Sequence, residues 1–282
     1  MDNIISLHHD LKNKTYKHSS YHAFNISDPK PRNIHKASVR DRLLHHAIYR
    51  VLYSYFDKKF ISDSYSCRLN KGTHKALERF GYFSIKVSKN HTKQCWVLKC
   101  DIKKFFASID HEVLLYILEK HIEDKDTLWL LERVITSFNP GLPLGNLTSQ
   151  LLVNIYMNEF DQFVKHKLKI KNYIRYTDDF LIFSSNKSEL ITFIRYIVCF
   201  LQKELKLSLH EDKIFIKTLS SGIDFLGWVH FPEHRILRTV TKRRMFRNIS
   251  EKSLPSYLGL LKWGNTYKLR QNCKFDIYTS FI

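Results

Sequence analysis

Residues 172–184 read NYIRYTDDFLIFS. Two apolar, aromatic runs flank the pair Asp178–Asp179. The flanks predict strands and the centre predicts a tight hairpin turn. Two-residue turns favour Asn-Gly or Asp-Gly, whose residues accept positive φ, so Asp-Asp is a poor choice on backbone grounds. It also sets two like charges side by side, which opposes their joint ionisation. A divalent cation is the compensation that this arrangement suggests; two hydrated acids on a surface turn are the plainer reading.

Working outward, residues 94–102, QCWVLKCDI, form a compact strand that ends near Asp101. The run EVLLYILEKHI after it puts Leu114, Ile117, Leu118 and His121 at helical spacing, with Asp110 as N-cap. GLPLGN is loop chemistry, and the helix that follows turns Leu151, Ile155 and Phe160 or Phe163 inward. After the hairpin, residues 189–207 form an amphipathic helix on Leu190, Ile194, Ile197 or Val198, Leu201 and Leu205. DKIFIKTL and GIDFLGWVHF then predict short strands. Upstream, SVRDRLLHHAIYRVLYSYF gathers Leu44, Ile48, Val51 and Leu52 on one helical face. Strand–helix–loop–helix–hairpin–helix–strand is the order of a split βαβ sheet, in which Asp101 and Asp178 lie side by side.

Composition narrows the partners. The 282 residues are 44% hydrophobic, which is enough for a real core. With 46 Lys+Arg against 27 Asp+Glu the net charge is +19. So basic a chain attracts polyanions, nucleic acid first. No apolar run is long enough to span a bilayer, and MDNIISLHHDLKNK does not have the form of a secretory signal. The five cysteines form no CxxC pair, which suits free thiols in a cytoplasmic protein. Residues 232–282 hold eleven Lys/Arg and three acids, interleaved with Tyr257, Trp263 and Tyr267. This segment predicts a small helical lobe, aromatics inside and basic face outside.

KCDIKKFFASIDH, GLPLGNLTSQ, RYTDDF, LHEDK and DFLGW occur in the order and spacing of reverse transcriptase palm motifs. The chain resembles bacterial reverse transcriptases of the group II intron and diversity-generating retroelement kind. The resemblance implies an α+β right-hand polymerase fold: fingers at 1–95, a ferredoxin-like palm at 96–231 with helices on one face, partly interleaved with fingers, and a basic helical thumb at 232–282. It implies an RNA-directed DNA polymerase acting on an RNA template, a DNA or RNA primer and deoxynucleoside triphosphates. Two Mg²⁺ ions about 3.5–4 Å apart serve that chemistry, and Mn²⁺ accepts the same oxygen ligands.

Residue by residue, the resemblance implies metal ligands at Asp101, Asp178 and Asp179, with the Ile102 carbonyl beside them. Phe106 matches the ring that excludes a 2′-hydroxyl. Arg68, with Lys71 second, matches the fingers clamp on incoming phosphates. Lys213 matches a general acid for the leaving pyrophosphate. Lys30, Arg32 and Arg42 fall where the fingers approach template or nucleotide phosphate, Tyr176 at the primer or template beside the turn, and Phe225, Leu226 and Gly227 at the primer grip.

One departure is informative. Most reverse transcriptases carry glutamine before the glycine of the nucleotide loop and Ser-Pro at its end; here stand Leu144-Gly145 and Ser149-Gln150. That form resembles the diversity-generating retroelement enzymes, which copy RNA with frequent errors at template adenines and work with a small basic accessory protein. A defence-associated or retron-like enzyme is the nearest alternative. A catalytically quiet RNA-binding scaffold and a basic membrane-surface protein stand further off.

Overall fold

The structure, a computed structural model, describes residues 2–27 and 30–279. The helix α1 (Asp2–Lys12) precedes a hairpin of β1 (His22–Ile26) and β2 (Arg32–Lys36). Helices α2 (Val39–Phe56) and α3 (Thr73–Ser88) lead to strand β3 (Trp96–Asp101). Then come α4 (His111–Glu119), α5 (Lys125–Ile135), α6 (Leu147–Gln162), β4 (Tyr173–Tyr176), β5 (Asp179–Ser184), α7 (Lys187–Leu205) and β6 (Phe215–Thr218). The chain continues through β7 (Ile223–Phe225), β8 (Trp228–His230), β9 (Arg235–Leu237), α8 (Thr239–Asn248), α9 (Leu254–Leu261) and α10 (Tyr267–Thr279).

A four-stranded sheet has the order β4-β5-β3-β6. That is the order of a ferredoxin-like split βαβ unit. It puts β3 and β5 at the centre, and the run Val97–Cys100 is buried on both faces. Asp110 caps α4 as expected, its carboxylate accepting from Val113 N at 3.0 Å. The α6 helix is buried almost all round, from Leu151 and Ile155 to Phe160.

Several expectations change. The helix α4 ends at Glu119, so His121 lies beyond it and packs edge-on against Phe56. On α2, Leu44, Ile48 and Leu52 are buried but Val51 is 69% exposed. At about 100° per residue the inward stripe is centred between Ile48 and His45, and Val51 falls outside its edge. Helices α3 and α5 and the β1–β2 hairpin went unforeseen. The β1–β2 hairpin is polar and carries a weak periodic signal, whereas α5, KDTLWLLERVI, buries Leu131, Val134 and Ile135 on one face.

The chain divides into two compact units. One holds the chain up to Gly72 with Lys99–Leu181 and Ile191–Ile214; the other holds Thr73–Leu98, Ile182–Leu190 and the chain from Phe215 onward. The helix α3 lies in the second unit. Within this second unit Trp263 stacks on His74 at 3.9 Å between centroids. Tyr267, expected inside, is 69% exposed. No described helix is long and apolar enough to cross a membrane.

In the first unit, His45 of α2 is buried, with its Nε2 3.1 Å from Nε2 of His18 and its Nδ1 without a hydrogen bond. Burial, then the charge of His18, depresses its pKa to about 4. The unfolded chain protonates this imidazole near the ordinary value, so stability present above about pH 6.5 is lost as pH falls toward 4. Urea unfolding should show about 2 kcal/mol less stability at pH 5 than at pH 7 from this group. His45→Gln should remove that part of the pH dependence.

Candidate active site

The site is assembled by one turn and one strand end. The hairpin turn is Thr177-Asp178, not Asp178-Asp179: β4 ends at Tyr176 and β5 begins with Asp179. Thr177 takes the positive φ, 58°. A β-branched residue there is strained, so the surroundings must hold it. They do so through Arg175 and Ser66. The Arg175 guanidinium donates to the Thr177 carbonyl at 3.0 Å, and Thr177 Oγ1 donates to Ser66 Oγ at 2.5 Å.

Arg175 is itself fully buried and paired with Asp161 of α6, Nη2 to Oδ2 at 2.7 Å and Nε to Oδ1 at 2.9 Å. It also reaches Asn154 Oδ1 and Ser64 Oγ, and Tyr173 donates its hydroxyl to Asp161 at 2.7 Å. Every oxygen and nitrogen of this core cluster therefore has work, as burial of charge demands. Burial and the Asp161 charge push the Tyr173 phenol well up.

From the turn, Asp178 accepts at its carbonyl from Ile102 N at 3.1 Å. That bond ties the turn to the end of β3, where Asp101 stands. Asp101 in turn accepts at its carbonyl from His210 N at 2.8 Å. Lys213, in the short turn after His210, places Nζ 2.7 Å from Asp101 Oδ1. Burial and the Asp101 charge raise the Asp178 pKa against the opposing pull of Lys213 and Arg32. Burial pushes Asp179 up to about 6, with Lys99 opposing and Asp101 and Asp178 adding to the rise.

The three acids divide two and one. Lys213 pairs with Asp101 and its charge acts on Asp178, whereas Asp179 Oδ2 lies 3.1 Å from Lys99 Nζ. Among the described residues no group of three or more His, Cys, Asp or Glu is arranged to hold a metal ion. The donor set still fits Mg²⁺, which keeps several waters and takes one or two carboxylates alongside substrate phosphates. Asp101, Asp178 and the Ile102 carbonyl would hold it.

The remaining candidates are distributed unevenly. Arg68 is spent on its own loop: Nε donates to Asp57 Oδ1 at 2.7 Å and Nη1 to the carbonyls of Ile61 and Ser64, and its side chain is 6% exposed. A guanidinium so engaged ties its own loop together. Lys71 donates to Ser62 O at 2.8 Å. Phe106 is half-buried in the turn Phe105–Ser108, whose backbone is clasped by Leu142 N on Phe106 O. Leu144 is half-buried and its carbonyl accepts from His35 N at 2.9 Å. Gly145, at φ 107°, lies under Ile34 with no room for a Cβ. Gln150 is half-buried in the first turn of α6. Lys30, Arg32 and Arg42 are exposed, and Tyr176 is half-buried at the end of β4. In the second unit Leu226 and Gly227 form the β7–β8 turn, both at positive φ. Phe225 is buried and stacks with Phe80.

Sequence reasoning passed over Lys99, Arg175 and Asp161. The signal was there: a lone cation within an apolar strand has to find a partner.

The sheet order and the turn beside the end of β3 define a palm-like unit. The chain belongs to the reverse transcriptase (RNA-dependent DNA polymerase) family, whose pattern matches residues 17–230. It is similar to protein YkfC of Escherichia coli (strain K12), 24% identical across 79% of this chain and 68% of that protein. It is also similar to the group II intron-encoded protein LtrA of Lactococcus lactis, 23% identical across 72% of this chain and 44% of that protein. The apo telomerase of Candida tropicalis shares the fold, with TM-score 0.59 and 11% identity over 77% of this chain and 48% of the telomerase chain. The right-hand polymerase architecture follows.

Removing one member of the buried pair strands the other. Arg175→Met or Asp161→Asn should each cost about 3–5 kcal/mol in urea unfolding. The double variant Arg175→Met with Asp161→Leu should cost less than either single change, and a purely additive loss would count against the pair as the hairpin's anchor.

Proposed function

We propose that the chain extends a primer on an RNA template, joining deoxynucleotides with release of pyrophosphate. The observation that carries the proposal is the Ile102–Asp178 backbone bond, which sets Asp178 of the turn beside the end of β3 that carries Asp101. Divalent ions held there would make the primer hydroxyl a better nucleophile and balance charge on the departing phosphates. Lys213, already beside Asp101, holds a proton at Nζ for the leaving pyrophosphate. Phe106 would close the floor against a 2′-hydroxyl. The exposed Lys30, Arg32 and Arg42 would meet nucleic-acid phosphate, and the +19 net charge supports the same partner.

Within the family we place the chain with the diversity-generating retroelement enzymes, on Leu144, Gly145 and Gln150. It would then work in the cytoplasm with a small basic accessory protein. Leucine cannot donate or accept hydrogen bonds, so it leaves base and sugar of the incoming nucleotide less constrained than glutamine would. Mispairing becomes cheaper as polar contacts to the right substrate disappear.

Primer extension on heteropolymer RNA with Mg²⁺ and all four deoxynucleotides tests both levels. Asp178→Ala should abolish extension and leave RNA affinity unchanged; surviving extension would overturn the assignment. Leu144→Gln should lower misincorporation opposite template adenine about tenfold, the equivalent of ~1.4 kcal/mol. An unchanged error spectrum would remove the subfamily reading and leave the polymerase intact.

A further inference from the structure

The neighbouring acids at 178 and 179 keep different company. Lys99 and Asp101 stand two apart on β3 and so share one face of that strand. Asp179 opens β5, the next strand in the sheet. Lys99 Nζ lies 3.1 Å from Asp179 Oδ2, and the lysine side chain is 11% exposed. Oδ1 of Asp179 is buried and receives no hydrogen bond. Lys213 makes an ion pair with Asp101 at 2.7 Å, but its side chain is 44% exposed. Solvent can take the Lys213 ammonium away from its acid. Lys99 has no such route, since moving it would bury an uncompensated charge on either side.

We infer that Lys99 is a positioning residue: its ammonium holds Asp179 out of the ligand set and leaves Asp101 and Asp178 as the acids that take a divalent cation. The inference rests on the reading of those two acids as the cation-binding pair. It explains why the sequence tolerates adjacent carboxylates without a third ligand in the cluster. A third carboxylate would bind cations more tightly, and charge count is what tunes such sites. With Lys99 in place the site stays a two-carboxylate one, suited to an ion that must accept phosphate oxygens and release them.

Binding of Mn²⁺ alone to the full chain, measured by calorimetry without nucleotide or nucleic acid, tests this. Lys99→Met should bind Mn²⁺ about tenfold more tightly, because Asp179 is released to coordinate. Lys99→Arg should stay within about twofold of the parent, since it keeps the cation. Lys99→Met combined with Asp179→Asn should return to the parent affinity. A lysine that merely supports the fold would weaken binding in the single variant, with no recovery in the double. Unchanged or weaker Mn²⁺ binding in a folded Lys99→Met chain overturns the inference. Should that variant fail to fold, Asp179→Asn alone decides: parent-like affinity supports it and a tenfold loss overturns it. Parent-like Mn²⁺ binding in Asp178→Ala would instead sink the underlying reading of the pair.

Discussion

The buried contact between Arg175 and Asp161 is the constraint on which the rest of the site hangs. An ion pair with no solvent on either side is expensive to form and more expensive to break. Here it is surrounded by Tyr173, Asn154 and Ser64, so its hydrogen-bonding capacity is largely used. The same guanidinium holds the Thr177 carbonyl. A threonine at positive φ is thereby kept where a glycine would ordinarily be asked for. The turn projects Asp178 toward the end of β3 because its strained residue has been anchored from below.

Around that turn, charge is arranged in a chain that is otherwise overwhelmingly basic. Each acid of the site has a cation within reach: Lys213 on Asp101, Lys99 on Asp179, Arg32 acting on Asp178 through space. The differences among them lie in exposure. An exposed lysine can exchange its acid for another partner, and an enclosed one cannot. Alternate residues of β3 put the Lys99 ammonium and the Asp101 carboxylate on one face of the strand. Raised pKa values at Asp178 and Asp179 are the consequence of gathering acids in a poorly solvated place. They mark the position where positive charge is most strongly favoured.

Much of the architecture was legible in the chain. The apolar strand before Asp101, the Asp110 cap, the stripe on α7 and the β7–β8 pair all follow from patterns a few residues long. Leu190, Ile197, Leu201 and Leu205 are buried as their spacing predicts. Local rules failed where burial was decided from elsewhere. Val51 and Tyr267 have apolar or aromatic side chains that stay largely exposed. Arg68 has the residue type suited to phosphate, yet Asp57 and two carbonyls claim its donors first. The turn shifted by one residue because Arg175 and Ser66 stabilise Thr177 in a conformation that propensity alone would refuse.

Taken by itself, the sequence determined the order of the palm strands from β3 to β6, the resemblance to a family, the basic composition and the positions of the acids along the chain. Those are properties of spacing and composition, which a linear text carries in full. Tertiary structure alone decided which acid meets which cation. Lys99 and Asp179 are eighty positions apart, as the numbering shows, and Arg175 and Asp161 sit on different elements. Pairing across such distances depends on register between strands and on the depth of burial, and neither is written in any short window of residues.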